Sequence, residues 1–282
     1  MRIYVAIIVL AFLTPGTSAD THWQLNFESY ASDERQQQLQ AWVNTAVDNT
    51  HKQLGALHYK HVDVSISQPV FTTEAVPWGE IKRGPPVQVV LEIGRFADIK
   101  RIRKDWTIYH ELAHLYMPYL PAEDRWLSEG FATLMQNYTM LHAGIYNRGQ
   151  FEHRLQAGLA RGKADTRIQQ GPLSEVSATM WQRQAYQRVY WSGVAYFIEV
   201  ESELARQKLK LSDVIARYNH CCFRPRSSAK EFISALDGIV RTRVFSNLYS
   251  RYRLRCDFPT IKQAHIARLT ISAVNLGAAT VQ

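Results

Sequence analysis

The chain has 282 residues, 46% of them hydrophobic and 21% charged, which is enough apolar material for one large domain or two subdomains around a substantial core. Its formal net charge is +8, with the basic residues spread along the sequence and no recognisable nucleic-acid-binding module. That distribution speaks against a nucleic-acid partner and otherwise leaves function open.

Residues 1–19, MRIYVAIIVLAFLTPGTSA, read as a secretory signal peptide. Arg2 precedes an apolar run from Ile3 to Leu13, a Pro15-Gly16 breaker follows, and the small residues Thr17 and Ala19 set up cleavage after Ala19. The run is about half of the ~20 residues a spanning helix needs, and no later segment is apolar enough, so no stable membrane anchor is expected. The expected location is periplasmic or secreted.

Residues 32–55 predict a helix capped at Ser32 or Asp33, with Leu39, Trp42, Val43, Ala46 and Val47 at helical spacing. HVDVSIS (61–67) alternates like a half-buried strand, and VQVVLEI (87–93) follows Gly84-Pro85-Pro86 as a second. Between them, FTTEAVPWGEIKRG (71–84) is expected to hold a further strand or edge segment. From Asp98 the chain turns helical. KRIRK (100–104) fits the solvated start of a helix, the alternative being a patch that attracts acidic substrates or anionic lipid. Helices are expected over about 104–116, ended by Pro118, then 122–142, 149–161, 186–207, 211–218 and 229–236. The expected class is α+β. A small sheet-bearing N-terminal part (20–117) joins a mainly helical C-terminal part (118–282) of the same domain, with a cleft between them.

Three cysteines are present, Cys221, Cys222 and Cys256. In an oxidising compartment Cys256 is expected to bond to Cys221 or Cys222, closing a loop of about 35 residues worth roughly 3–4 kcal/mol. A second metal on His220, Cys221, Cys222 and Cys256 is disfavoured, because adjacent cysteines lack the two-residue gap of zinc hooks.

The chemistry concentrates in IYHELAHLYMPYLPAEDRWLSEGFA (108–132). In H-E-x-x-H, His110 and His114 are one helical turn apart and share a face. Two imidazoles so placed can grip one ion at about 2.0–2.1 Å. Glu111 is rotated about 100° from His110, where a general base for an activated water belongs. Leu112, Ala113, Leu115 and Tyr116 keep the helix apolar, as a buried metal-binding helix requires. A hydrolytic zinc needs a third protein ligand and an open position. Pro118 and Pro121 force a turn, and an antiparallel return brings Glu129 back beside the histidines. Glu123 and Asp124 compete but fall in the opening turn of the second helix, where acids serve the helix dipole; Glu152 is a further competitor.

These residues resemble the gluzincins, zinc peptidases of the MA-like clan in which H-E-x-x-H is completed by a glutamate from the next helix. WLSEGFA (126–132) is similar to the glutamate segment of the large aminopeptidases and of the glycyl aminopeptidase family. Likeness to the catalytic domain of the latter continues through LHAGIYNRGQFEHRL (141–155), PLSEVSATMW (172–181) and RVYWSGVAYFIEVESELAR (188–206), covering about 78–252 in all. The resemblance implies a zincin-like fold, one Zn2+ held by His110, His114 and Glu129, and Glu111 as catalytic base. It also implies that Tyr190 stabilises the oxyanion, with Tyr186, four residues earlier, as its competitor. There are departures too. Ser192 stands where the family usually has lysine. The amine-holding glutamate of its Gly-x-x-Glu segment aligns with Val76, while Glu74 and Glu80 flank it out of register. The family's N-terminal β-domain and C-terminal peptide-binding module are not expected in a chain of this length.

The expectation is therefore an exported zinc-dependent peptidase acting on peptide or protein substrates, with aminopeptidase and endopeptidase action both open. Two other classes are a non-catalytic periplasmic peptide-binding protein on this scaffold and a zinc hydrolase of a non-peptide substrate. The sequence does not indicate an oligomeric state.

Overall fold

The computed structural model describes residues 21–28 and 31–269, so the leader expected over 1–19 lies outside them. The chain opens with β1 (His22–Phe27), α1 (Asp33–Leu54), β2 (His61–Ser67), β3 (Trp78–Arg83) and β4 (Val87–Glu92). These strands form one sheet ordered β1-β2-β4-β3; β2 runs parallel to both β1 and β4, and β3 lies antiparallel at the edge. A parallel pair needs a crossover, and α1 supplies it between β1 and β2. The Ser32 hydroxyl starts α1 by accepting the Arg35 N–H at 3.3 Å. Gly55 ends it at φ 79°, a backbone region that glycine enters without steric cost. Leu39, Trp42, Val43, Ala46 and Leu54 form the buried stripe of α1, and each of its leucine and valine side chains contributes roughly 1.5–3 kcal/mol by leaving water.

Central β2 and β4 bury Val62, Val64, Ile66, Val89 and Leu91. The sequence reading has no strand at 22–27, although HWQLNF alternates polar and apolar residues as a half-buried strand does. It becomes a strand by pairing with β2 in the register His22↔His61 to Phe27↔Ile66.

The remainder is helical: α2 (Ile99–Ile102), α3 (Thr107–His114), a 3-10 turn (Ala122–Asp124), α4 (Arg125–His142), α5 (Arg148–Thr166), α6 (Leu173–Ala178), α7 (Met180–Arg183), α8 (Tyr186–Arg206), α9 (Leu211–Cys221), α10 (Ala229–Val240) and α11 (Val244–Arg253). The architecture is α+β and zincin-like, a small N-terminal sheet followed by a mainly helical part. None of its helices, among the described residues, is long and apolar enough to cross a membrane.

Two boundaries differ from expectation for local reasons. The motif helix begins at Thr107 and not near 104, while the basic run 100–104 is a solvated helix start as expected, but of a separate short helix. The run belongs to α2 and the turn after it, because Asp98 caps Lys100 at 2.8 Å and Asp105 caps Thr107 at 2.8 Å. The motif helix then closes with i→i+3 bonds from Leu115, Tyr116 and Met117 to Leu112, Ala113 and His114, a tightening that precedes Pro118.

The disulfide expectation is corrected. Cys221 bonds to Cys222, and Cys256 is a free, exposed thiol. The backbone of Cys256 is tied to the start of α8, where Arg188 donates to the Arg255 and Cys256 carbonyls. Cys221 and Cys222 instead end α9, beside Phe223 and its aromatic neighbours His58, Tyr59 and Tyr218. Different parts of the fold thus hold the two sulfur positions.

Helices α4 and α8 cross at a pair of glycines. A Cβ on Gly193 would lie 2.0 Å from the Trp126 carbonyl oxygen, and one on Gly130 would lie 2.2 Å from the Gly193 carbonyl carbon. This backbone contact sets how closely the two helices approach.

Candidate metal centre

Every residue of α3 is buried, including both histidines and Glu111. His110 Nε2 and His114 Nε2 are 3.1 Å apart. The turn at 115–124 reverses the chain, and α4 then carries Glu129 to within 3.3 Å of His110 Nε2 and 3.4 Å of His114 Nε2. The other acids are elsewhere: Glu123 is exposed, Asp124 accepts the Tyr249 hydroxyl at 2.8 Å, and Glu152 is not part of the cluster.

The donor set passes a direct test for zinc. His110 Nδ1 lies 2.8 Å from the Gln136 carbonyl oxygen, which can only accept, so Nδ1 carries the proton and Nε2 presents a lone pair. His114 Nδ1 lies 3.0 Å from the Ser128 hydroxyl, which can accept its proton and so permits the same tautomer. Two imidazole lone pairs and a carboxylate oxygen thus converge, an arrangement that a cation satisfies. Their separations of 3.1, 3.3 and 3.4 Å match the edges, roughly 3.3 Å long, of a tetrahedron built on 2.0–2.1 Å zinc–ligand bonds.

The electrostatics agree. Burial alone would raise the Glu129 carboxyl, but His114 and His110 outweigh it and hold the group far below the usual carboxylate range. Burial opposes a charged His110, yet the bond to Glu129 and the charge of Glu111 bring its imidazole above the ordinary value. Glu111 is pushed up by burial, with the two histidines opposing.

Strand β3 lies directly against this helix. A Cβ on Gly79 would stand 2.6 Å from Thr107 Cγ2 and 2.8 Å from Glu111 Cγ, so glycine here lets the edge strand reach the Glu111 side chain. Arg83 ties the two elements together, donating to the His114 carbonyl at 2.8 Å and the Met117 carbonyl at 2.9 Å. On the opposite side, the Tyr190 ring of α8 lies nearly parallel to His110, 5.8 Å away. Burial, the Glu129 carboxylate and Glu111 push its phenol well above the ordinary value. Tyr186 packs edge-on against Trp181 at 5.4 Å instead. The cluster opens on a cleft of about 1630 Å³ between the sheet and α4, α5 and α8, and Glu74, Glu80 and Val76 all border it.

Sequence reasoning singles out His110, Glu111, His114, Glu129 and Tyr190, and the structure brings these five together. It does not single out Gln136, Ser128, Trp106 or Arg83. Gln136 falls two turns after Glu129 on the same face of α4, a spacing visible in the sequence. Trp106, edge-on to His110 at 5.6 Å, and Arg83, 31 residues from the carbonyl it holds, have no local signal.

No protein-family model matches the chain, and no curated protein matches it in sequence. Solved structures do. An aminopeptidase N family protein from Idiomarina loihiensis aligns with TM-score 0.60 at 14% identity, covering 86% of this chain and 46% of that one. The M1 zinc metallopeptidase of Deinococcus radiodurans aligns with TM-score 0.54 at 13% identity, covering 86% and 50%. A mutant of that enzyme bound to Tyr-Ser-Ala substrate aligns with TM-score 0.50 at 13% identity, covering 76% and 44%. The chain spans about half the length of these structures. The fold built here from the sheet, the motif helix and the helical half is that of a gluzincin-like domain, the scaffold of M1 zinc metallopeptidases.

Proposed function

We propose that the protein is an exported zinc peptidase. One observation carries the reading: two imidazole lone pairs and one carboxylate oxygen face a common point, with a buried glutamate beside it and a cleft in front. His110, His114 and Glu129 would hold the ion. When bound there, zinc supplies Lewis acidity that brings the pKa of a water to about 7. Glu111 takes a proton from the attacking water and passes it to the departing amine. Tyr190, a phenol protonated at neutral pH, donates to the oxyanion that develops in the transition state. Strand β3, paired on one side by β4, offers its other edge to an extended peptide along the cleft. A peptide substrate also fits the Tyr-Ser-Ala complex of the structural neighbour. Export rests on the leader-like segment 1–19.

The test is turnover of free and N-blocked peptides by zinc-loaded protein and by Glu111→Gln. The variant should keep its zinc and lose at least ~100-fold in rate. Cleavage by Glu111→Gln at the wild-type rate removes Glu111 from the mechanism. Failure of zinc-loaded wild type to cleave any peptide overturns the peptidase reading in favour of a peptide-binding protein. Hydrolysis of blocked peptides marks an endopeptidase, and hydrolysis of free amines alone an aminopeptidase.

A further inference from the structure

Arg125 opens α4 one helical turn before Glu129, on the same face, and borders the cleft. Its guanidinium stands over the Trp181 ring, 5.5 Å from the centroid. Nη1 is buried without a hydrogen-bond partner, and no carboxylate among the described residues forms an ion pair with the group. Its sequence neighbours do not serve: Asp124 is taken by Tyr249, and Glu123 points to solvent. Other sheltered arginines are anchored differently. Arg83 donates to two main-chain carbonyls, and Arg188, although its Nε and Nη1 also lack partners, is held through Nη2 by those of Gly171, Arg255 and Cys256. A partly desolvated cation left unpaired in a cleft is costly, and a bound anion relieves that cost.

A second observation points the same way. Arg154 and Arg161 also border the cleft from α5, stacked on Tyr146 and Trp191. Along the wall built by α4, α5, α7 and α8, the only carboxylate facing the cleft among the described residues is Glu129 of the metal cluster itself. The opposite wall is mixed, with Glu74, Glu80, Asp105 and Glu111 beside Arg83, Arg101 and Lys104. The helical wall is thus the one on which basic groups outnumber acids, three arginines to one carboxylate.

Building on the peptidase reading, we infer that Arg125, seated on Trp181, is a specificity residue that anchors a substrate carboxylate close to the scissile bond. The offset of four helical residues is about 6 Å, which an extended peptide spans in roughly two residues. The carboxylate is either an aspartate or glutamate side chain or the peptide's own C-terminus. A guanidinium can bind it through two parallel N–H···O bonds, a geometry that neither a carboxamide nor a lysine reproduces.

The test uses matched peptides on the full-length protein, with two arms. One arm exchanges Asp for Asn at each position of a blocked peptide series, and the other exchanges a free C-terminus for its carboxamide. kcat/KM ratios are measured for wild type, Arg125→Gln and Arg125→Lys, with zinc content confirming that each variant retains the site. Equilibrium binding of the same pairs to zinc-loaded Glu111→Gln, with and without Arg125→Gln, gives a readout independent of turnover. Wild type should prefer the carboxylate member of at least one arm by about tenfold or more, as a charge-assisted hydrogen bond allows. Arg125→Gln should bring that ratio near one, and Arg125→Lys should restore only part of it. The arm that responds identifies the source of the carboxylate. A wild-type ratio near one in both arms, or a ratio unchanged in Arg125→Gln, overturns the proposal. Equal loss on both members of a pair also overturns it, because Arg125 would then serve the reaction and not the choice of substrate. Absence of turnover with any peptide refutes the peptidase reading alone, and the binding ratios still decide the role of Arg125.

Discussion

Gly193 offers a sharp test of how the site is assembled, because it holds α8 against α4. Gly193→Ala would place a methyl carbon 2.0 Å from the Trp126 carbonyl oxygen, where ordinary contact begins at 3.4 Å. The obstacle is backbone, so α8 must retreat by about 1.4 Å or the crossing must open. Overpacking of this kind costs about 1–3 kcal/mol, against which alanine recovers at most about 1 kcal/mol of helix propensity. At about 2–4 °C per kcal/mol for a chain of this size, the melting temperature should fall by several degrees. The same retreat moves Tyr190, one turn earlier on α8, away from His110 and Glu129 on the other helices. A displacement near 1 Å can cost about 100-fold in kcat/KM. Gly238→Ala on α10 is the matched control, since its Cβ meets nothing within 4 Å. That variant should melt slightly above wild type. Differential scanning fluorimetry and peptide turnover on both proteins decide the matter. A Gly193→Ala protein as stable and as active as Gly238→Ala would refute the reasoning.

Gln136→Ala removes the acceptor that orients His110 and should weaken zinc binding about 10–100-fold in a chelator competition, whereas unchanged affinity would leave Gln136 without this role. Tyr190→Phe should lower kcat by about 100-fold or more at unaltered zinc affinity, and an undiminished rate would pass the oxyanion role to another donor. Glu201, buried on α8, accepts the Leu211 N–H at 2.8 Å, and burial raises its carboxyl from 4.5 to about 7. The folded state therefore holds this proton more tightly than the unfolded chain does. The associated stability is complete below about pH 4.5 and is lost as pH rises through about 7, by about 3 kcal/mol in all. Glu201→Gln, which keeps an acceptor for Leu211, should flatten the fall in melting temperature across that window; an unchanged slope would exclude Glu201 as its source.

Much of this molecule is legible along the chain wherever the determining forces are local. Leu39, Trp42, Val43 and Ala46 announce the buried stripe of α1, and Ser32 and Gly55 mark its ends through capping and left-handed backbone. H-E-x-x-H specifies its own geometry, because helical pitch alone brings His110 and His114 to one face. Helix α11 was within reach of the same reasoning, since Phe245, Leu248 and Tyr252 recur at helical spacing. So was the strand at 22–27, whose HWQLNF alternates polar and apolar residues, although its place at the sheet edge comes only from pairing with β2.

Periodicity, caps and spacing could name the pair of histidines, the glutamate between them and the helix that returns with Glu129, because each depends on residues within a turn or a short loop. Which sulfurs meet, that Gly79 clears the way for Glu111, that Arg83 clamps the end of the motif helix, and that Arg125 is left facing the cleft without a counter-ion all depend on segments far apart in the chain. Only close packing of α8 on α4 and of β3 on α3 could settle them, since a contact between distant residues leaves no periodic trace in either partner.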